Sequence, residues 1–173
     1  MEHVLAVDIG GTKMAAGVVD ADGQVVVRQQ VPTAGDGADG LLSTLTTLID
    51  AERLEAGVTV VACGVGCGGP MRAGGEAVSP LNIPAWRDFP LRERVADHVG
   101  LATWVDNDAK ALALGEGWRG AAAGHRDYLA MVVSTGVGGG IVLDGRLLDG
   151  AGGNAGHIGH MVVEPGGRPC ACG

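Results

Sequence analysis

The apolar residues of this chain fall into short runs that glycine-rich or polar breaks separate. Residues 4–7 are apolar throughout and predict a buried central strand. Residues 14–19 and 24–31 predict two more strands, and the Asp-Gly turn between them is typical of a hairpin. Leucines recur at helical spacing in residues 40–56, which predicts a helix with one apolar face that ends at Gly57.

Strands and helices are then predicted to alternate. Residues 58–63 are apolar on both faces, as in a buried parallel strand. Residues 64–86 are irregular and rich in glycine and proline, and a loop of this length in a compact domain is usually functional. The rest of the pattern predicts a helix that starts at Pro90 and runs to residue 99, a strand at 102–105 and a helix at 109–118.

The last third of the chain predicts a strand at 128–133 and a hairpin of 141–143 with 146–148. We therefore expect two lobes: residues 1–118, in the order βββαβαβα, and residues 119–173, with few strands and no clear helix. A sheet this small cannot bury its faces alone. The second lobe is thus expected to be partial, and the chain to be a fragment or to depend on a partner.

Composition narrows the class of protein. Hydrophobic residues make up 46 % of the 173 residues, which is enough for a packed core. The net charge of −8 argues against a nucleic-acid or anionic membrane partner, because such surfaces need clustered Lys and Arg. The N-terminus lacks a basic region followed by a longer apolar stretch, and no apolar run approaches the length of a membrane span. We expect a cytoplasmic protein without a membrane partner.

The first candidate site directly follows the strand at 4–7. Asp8 precedes successive amide groups at Gly10, Gly11 and Thr12, followed by Lys13. Such an array binds phosphate oxygens, and the carboxylate suits Mg²⁺. A plain hairpin turn with an acidic first residue is the alternative. The spacing is not that of a Walker A loop.

A second glycine segment follows the strand at 128–133, and its composition predicts a loop over residues 134–140. Its Thr135 hydroxyl and the amides around Gly136 and Gly138 are suited to hold the transferred phosphate. No clear helix follows, so the dinucleotide-binding fingerprint is not met. The alternative is a flexible hairpin loop.

Asn107 and Asp108 stand where a strand ends and a helix begins. Either residue can simply cap that helix. In the functional interpretation, Asp108 accepts the proton of a sugar hydroxyl, and Asn107 orients neighbouring hydroxyls. A carboxylate suffices as a base if the phosphoryl transition state is loose and the proton leaves late.

Histidines and cysteines gather at the end of the chain. His157 and His160 precede Cys170 and Cys172. One histidine with two thiolates provides three of the four ligands of a structural zinc site. A free thiol pair beside a surface histidine is equally compatible with the spacing.

Taken together, these segments resemble the ROK family (repressors, open reading frames and sugar kinases), in particular its glucokinase-like members. The resemblance covers almost the whole chain, and the combination of segments is specific although no single segment is. The matching segments are 8–13, 65–70, 79–86, 105–116, 134–146, 156–160 and 170–173.

The resemblance implies an α/β fold of the actin-like ATPase (ribonuclease H-like) type, with a nearly complete first lobe and a partial second lobe. It implies phosphorylation of a hexose hydroxyl by ATP with Mg²⁺, a structural Zn²⁺ and, by analogy with the family, a homodimer. It assigns the base to Asp108 and the zinc ligands to His160, Cys170 and Cys172. The sugar-binding residues it implies are Gly69, Asn82, Asn107, Asp108, His157 and His160.

Two departures from the family pattern affect these expectations. The family usually has Glu where His157 stands, and a neutral imidazole accepts one hydrogen bond only. Three outcomes are open: a different sugar, weaker sugar binding, or an anomeric side that another group holds. The family motif also continues past residue 173 with another Cys and a sugar-binding Glu.

Two alternatives to a kinase remain. One is a sugar-sensing regulator, although its helix-turn-helix module is not expected here because the first strand begins almost at Met1. The other is a non-catalytic, sugar-binding or merely structural fragment.

Overall fold

The computed structural model describes residues 2–134 and 136–169. The chain divides into two compact units, Met1–Asp108 and Ala109–Gly173. This division falls ten residues before the lobe boundary that the sequence suggests after residue 118. The lobe bounds 1–118 and 119–173 therefore stay a prediction.

The first unit is built on a five-stranded sheet. Its strands are β1 (His3–Ile9), β2 (Lys13–Asp20), β3 (Val25–Pro32), β4 (Val60–Cys67) and β5 (Thr103–Asn107), in the spatial order β3-β2-β1-β4-β5. The β1–β2 and β2–β3 pairs are antiparallel, whereas β4 lies parallel to both β1 and β5. All five predicted strands exist, so this part of the prediction is confirmed.

Strand β4 extends further than predicted. The sequence ended it at residue 63, but the strand runs to Cys67, where it still pairs with Ile9 of β1. Gly64 and Gly66 break the apolar pattern, yet they lie inside the sheet because its hydrogen bonds need only backbone.

Two helices belong wholly to the first unit. Helix α1 (Gly37–Ala56) buries its leucine face, and Gly57 ends the helix at φ 61°. Helix α2 (Leu91–Val99) starts after Pro90 and ends at Gly100, whose N–H donates to the Ala96 carbonyl. Both helices start and end close to the predicted residues.

The long loop after β4 is anchored by its own aromatic residues. Trp86 is completely buried and stacks on Phe89 with ring centroids 4.7 Å apart. The Trp86 Nε1–H donates to the Ala38 carbonyl at 3.2 Å, which ties the loop to α1. This irregular segment is therefore packed into the core of the unit.

The second unit combines a helix with a small antiparallel sheet. Helix α3 (Asp108–Arg119) begins at the last residue of the first unit, and the strands are β6 (Tyr128–Val133), β7 (Val137–Leu143) and β8 (Arg146–Leu147). The prediction of a loop over residues 134–140 is wrong, since β7 starts at Val137 and contains Gly138. A single 3₁₀ turn, Ile158–His160, follows.

No helix in the described ranges, 2–134 and 136–169, is long and apolar enough to cross a membrane.

Candidate functional site

In the first unit, the carboxyl ends of three parallel strands bring two acidic residues together. Asp8 lies near the end of β1 and pairs in register with Gly66 of β4. Asp108 directly follows β5, whose last residues pair with the same end of β4. A Cβ at Gly66 would lie 3.4 Å from the Asp108 Cα. The absence of a side chain at Gly66 therefore allows the backbone of Asp108 to lie close to β4.

The charge of Asp108 acts on the Asp8 carboxyl group. Burial raises the pKa of Asp8 most, the charge of Asp108 raises it further, and Arg28 lowers it. Burial also raises the pKa of the Cys67 thiol to about 12, with added contributions from Asp108 and Asp8. The site is thus a concentration of negative charge, which a divalent cation would relieve.

Asn107 is positioned by the same strand end. It is buried, pairs in register with Cys67, and its backbone N–H donates to Asp106 Oδ1 at 2.7 Å. Asp108, next in the chain, is exposed to solvent. The sequence-predicted pair therefore sits at the strand-to-helix junction, as expected.

The first glycine segment is a tight turn between β1 and β2. The Gly10 N–H donates to the Lys13 carbonyl at 2.9 Å, so this amide is already used inside the turn. The Thr33 hydroxyl donates to the Gly10 carbonyl at 2.7 Å. Among the described residues, the amides of Gly11 and Thr12 donate no hydrogen bond, which leaves them able to meet an anion.

Asn82 lies against this turn. A Cβ at Gly11 would come within 2.4 Å of the Asn82 Cβ, so only glycine permits the approach. The turn that carries Asn82 is held by Arg87, whose Nη1 donates to the carbonyls of Pro80, Ile83 and Trp86 at 2.9, 2.9 and 2.7 Å. The sequence interpretation missed Arg87, because a guanidinium that binds nearby carbonyls leaves no spacing signal.

Gly69 lies half-buried in the loop after β4 and is joined to Pro70 by a cis peptide. Its predicted role on the sugar side stays a prediction.

In the second unit, the glycines of β7 permit close packing on both faces of the strand. A Cβ at Gly138 would lie 3.0 Å from the Ala109 Cβ, and one at Gly140 would lie 2.5 Å from the Ala113 Cβ. A Cβ at Gly139 would instead meet the Ile158 side chain at 2.8 Å. Gly136, in the turn, faces open space, and Thr135 lies outside the described residues.

His157 and His160 flank the 3₁₀ turn with ring centroids 6.0 Å apart. The segment that carries them packs on β7, since a Cβ at Gly156 would lie 2.1 Å from the Gly139 carbonyl oxygen. Cys170 and Cys172 lie outside the described residues. Within those residues no group of three or more His, Cys, Asp or Glu is arranged to hold a metal, so the zinc site stays a prediction.

One ion pair in the second unit, between a buried lysine and an exposed aspartate, has no counterpart in the sequence interpretation. Lys110 of α3 is only 2 % exposed, and its Nζ donates to Asp149 Oδ1 at 2.7 Å and to the Gly153 carbonyl at 3.3 Å. The two charged residues are far apart in the sequence, and nothing in the pattern of either neighbourhood relates them.

The architecture is that of the actin-like ATPase fold, which the chain shares with solved structures of a ROK family glucokinase and a ROK hexokinase. The crystal structure of a ROK family glucokinase from Streptomyces griseus, in complex with glucose and AMPPNP, superposes with a TM-score of 0.90. It is 38 % identical, and the match covers 99 % of this chain and 54 % of that one. The chain belongs to the ROK family, whose family model matches residues 4–173.

The curated relatives include N-acetylmannosamine kinases and glucokinases. The N-acetylmannosamine kinase of Salmonella arizonae is 40 % identical over 98 % of this chain and 57 % of its own length. The glucokinase of Streptomyces coelicolor is 37 % identical over 100 % of this chain and 54 % of its own length. The chain therefore spans about half the length of the curated relatives that it matches.

A ROK family transcriptional regulator, described as a homologue of the E. coli MLC protein, shares the fold. Its TM-score is 0.82 at 25 % identity, with 99 % of this chain and 44 % of the regulator covered. Membership of the family thus includes both kinases and a regulator.

Proposed function

We propose that the protein that contains this chain transfers a phosphoryl group from ATP to a hydroxyl of a hexose. The observation that carries the proposal is the acidic pair Asp8 and Asp108 at the carboxyl ends of β1 and β5, where each charge affects the same thiol and Asp108 raises the pKa of Asp8. Relatives named for sugar phosphorylation support this reaction class.

In this reaction Asp108 is the base. The sugar oxygen forms a bond to the γ-phosphorus of ATP as the bond to the β–γ bridging oxygen breaks, and ADP leaves. The hydroxyl proton passes to the Asp108 carboxylate, late in a loose transition state. Asp108 is exposed at the strand end, which suits a group that must meet an incoming hydroxyl.

Asp8 is proposed to hold Mg²⁺, which in kinases neutralises charge on the transferring phosphates. The site fits a divalent cation because two carboxylates, both accessible to solvent, act on each other's surroundings at one edge of the sheet. The amides of Gly11 and Thr12 and the ammonium of Lys13 would bind phosphate oxygens beside it. Gly10 is assigned to the shape of this turn and not to phosphate, since its N–H already donates to the Lys13 carbonyl.

The remaining predicted residues divide into two groups by their proposed ligand. Thr135, Gly136 and Gly138 are assigned to phosphate, and for Gly136 the open space around its Cα supports that assignment. The sugar side is assigned to Gly69, Asn82, Asn107, His157 and His160. Asn82 is the best supported of these, because it lies against the first glycine turn.

The half-buried His157 is the residue at which this chain departs from the family pattern on the sugar side. A neutral imidazole offers one donor and one acceptor, whereas a carboxylate only accepts. Glucose and N-acetylmannosamine, the sugars named in the two kinds of relative, differ at C2, where N-acetylmannosamine carries an acetamido group in the opposite configuration to the glucose hydroxyl. We propose that His157 contributes to this choice.

The proposal is tested by ADP release from ATP with a panel of hexoses, measured on the protein expressed from its complete gene. A sugar-dependent rate with a sugar phosphate as product is expected, with glucose or N-acetylmannosamine among the best substrates. Absence of sugar-dependent ADP release across the panel would overturn the proposal.

A second candidate is a protein that binds sugar without phosphorylating it, which the fold shared with a regulator favours. Titration calorimetry that shows a hexose binding, together with no turnover of ATP, would select this function over the kinase.

A further inference from the structure

We propose that Lys110 is a positioning residue, which fixes the segment that carries His157 and His160 against the start of helix α3; this inference rests on the proposed function for its effect on the sugar. A lysine ammonium is seldom buried without strong partners, because removal from water costs several kcal/mol. Lys110 is almost completely buried, and Asp149 supplies a carboxylate at 2.7 Å. A charge held in this way implies a specific structural task.

The partners of Lys110 lie in one loop. Asp149 starts the loop, and the Gly153 carbonyl accepts a second bond from the same ammonium at 3.3 Å. The loop is closed on itself by the Ala155 N–H, which donates to the Asp149 carbonyl at 3.0 Å. Lys110 thus binds two points of a closed loop and fixes its orientation as well as its distance.

The loop leads directly to the two histidines. Gly156 follows at φ 95°, and its close approach to Gly139 seats the chain on β7 just before His157. On the opposite face of β7, a Cβ at Gly140 would lie 3.0 Å from the Lys110 Cα. Strand β7 therefore lies between the first turn of α3 and the segment that carries the histidines. The Lys110 side chain reaches from α3 to the loop that leads into that segment.

A shift of the loop would move His157 and His160 relative to Lys110 and β7, which belong to the same unit. The ion pair is expected to matter for sugar binding, since His157 and His160 are assigned to the sugar, and to matter little for ATP binding.

The test compares Lys110→Met, which keeps the length of the side chain, with Asp149→Asn, which keeps the shape of its partner. Asp149 is 67 % exposed, so Asp149→Asn removes the carboxylate charge without opening a cavity in the core. Asp144→Asn is the matched control, because it removes an exposed ion pair with Arg126 from the same unit. Each variant is made in the protein expressed from its complete gene.

Two readouts are expected to change together. Amide hydrogen exchange over residues 149–160 rises in Lys110→Met and Asp149→Asn but not in Asp144→Asn. KM for the sugar rises about tenfold or more in the first two variants, while KM for ATP changes less than about threefold. Lys110→Arg, which keeps the positive charge, is expected to have a KM for the sugar between those of the wild type and Lys110→Met.

Unchanged exchange over 149–160 in Asp149→Asn would overturn the inference, and so would faster exchange with an unchanged sugar KM. The exchange measurement requires no turnover. A protein that phosphorylates no sugar would therefore refute the proposed function, whereas the structural half of the inference would still be decided by exchange.

Discussion

Large buried side chains form the core of the first unit, whereas in the second unit much of the apolar surface of β6 is exposed and the glycines of β7 pack against neighbouring elements. Trp86, Leu5 and Leu45 of the first unit are completely buried. In the second unit, Met131 and Val133 of β6 are 54 % and 73 % exposed, while the glycines of β7 lie against a helix and a 3₁₀ turn. The hydropathy pattern reports side-chain burial, and it therefore describes the first unit better than the second.

The two glycine-containing segments, residues 8–13 and 134–140, differ from each other in a similar way. Both follow an apolar strand, and both were interpreted as phosphate loops. The first is a short turn that presents the amides of Gly11 and Thr12. Most of the second belongs to β7, where glycine is required by packing, and only its turn around Gly136 is open.

The largest effect on stability is expected from Gly156→Ala. The new Cβ would lie 2.1 Å from the Gly139 carbonyl oxygen at a φ of 95°, so both a clash and backbone strain arise. The free energy of unfolding, measured by urea denaturation, should fall by about 3 kcal/mol or more.

Gly136→Ala is the matched control, since nothing lies within 4 Å of its Cβ position. It should change the free energy of unfolding by less than about 0.5 kcal/mol. Equal effects of the two substitutions would remove the distinction between packing and open glycines.

An intermediate effect on stability is expected from substitution of Glu52, an acidic residue in the core of the first unit. Glu52 is completely buried, and neither carboxylate oxygen has a hydrogen-bond partner in the described part of the chain. Burial, aided by the charge of Glu55, raises its pKa above the ordinary 4.5. Because the folded state holds the proton more tightly than the unfolded state, stability falls as pH rises from about 4.5 through the raised pKa.

Glu52→Leu should therefore raise the free energy of unfolding at pH 7 by about 1–3 kcal/mol and flatten its pH dependence. Glu55→Gln, at an exposed position, should have a much smaller effect. If the free energy of unfolding of Glu52→Leu depends on pH as steeply as that of the wild type, the buried Glu52 does not destabilise the folded state.

A smaller effect is expected from Gly11→Ala. Its Cβ would come within 2.4 Å of the Asn82 Cβ, and the turn that Arg87 holds would have to move. The loss in free energy of unfolding should be about 1–2 kcal/mol. Asn82→Gly, added to Gly11→Ala, should recover about 1 kcal/mol of it, which a double-mutant cycle measures. Strictly additive effects would contradict the contact.

Much of the first unit could be predicted because its apolar runs bury side chains in the regular way. Strands β1 to β3 and helix α1 follow from periodicity and from turn residues such as Gly57. Strand β4 was predicted too short because Gly64 and Gly66 resemble a break, although backbone pairing with β1 and β5 tolerates them. The same ambiguity made β7 look like a loop.

The acidic pair of the site could also be predicted, since Asp8 and Asp108 each stand at the carboxyl end of a strand. Contacts between distant side chains could not. The bond from Lys110 to Asp149 depends on how a loop closes, and the penalty at Glu52 depends on what packs around one helix position. Periodicity and spacing carry no information about either.

The assignment of Asp108 as the base that accepts the sugar proton is the central claim, and turnover of Asp108→Asn tests it most directly. With sugar and ATP saturating, kcat should fall by about 10² or more, while the fold is retained. Asp97→Asn, at an exposed carboxylate on α2, should keep the wild-type kcat. A folded Asp108→Asn protein with nearly wild-type kcat would contradict the assignment.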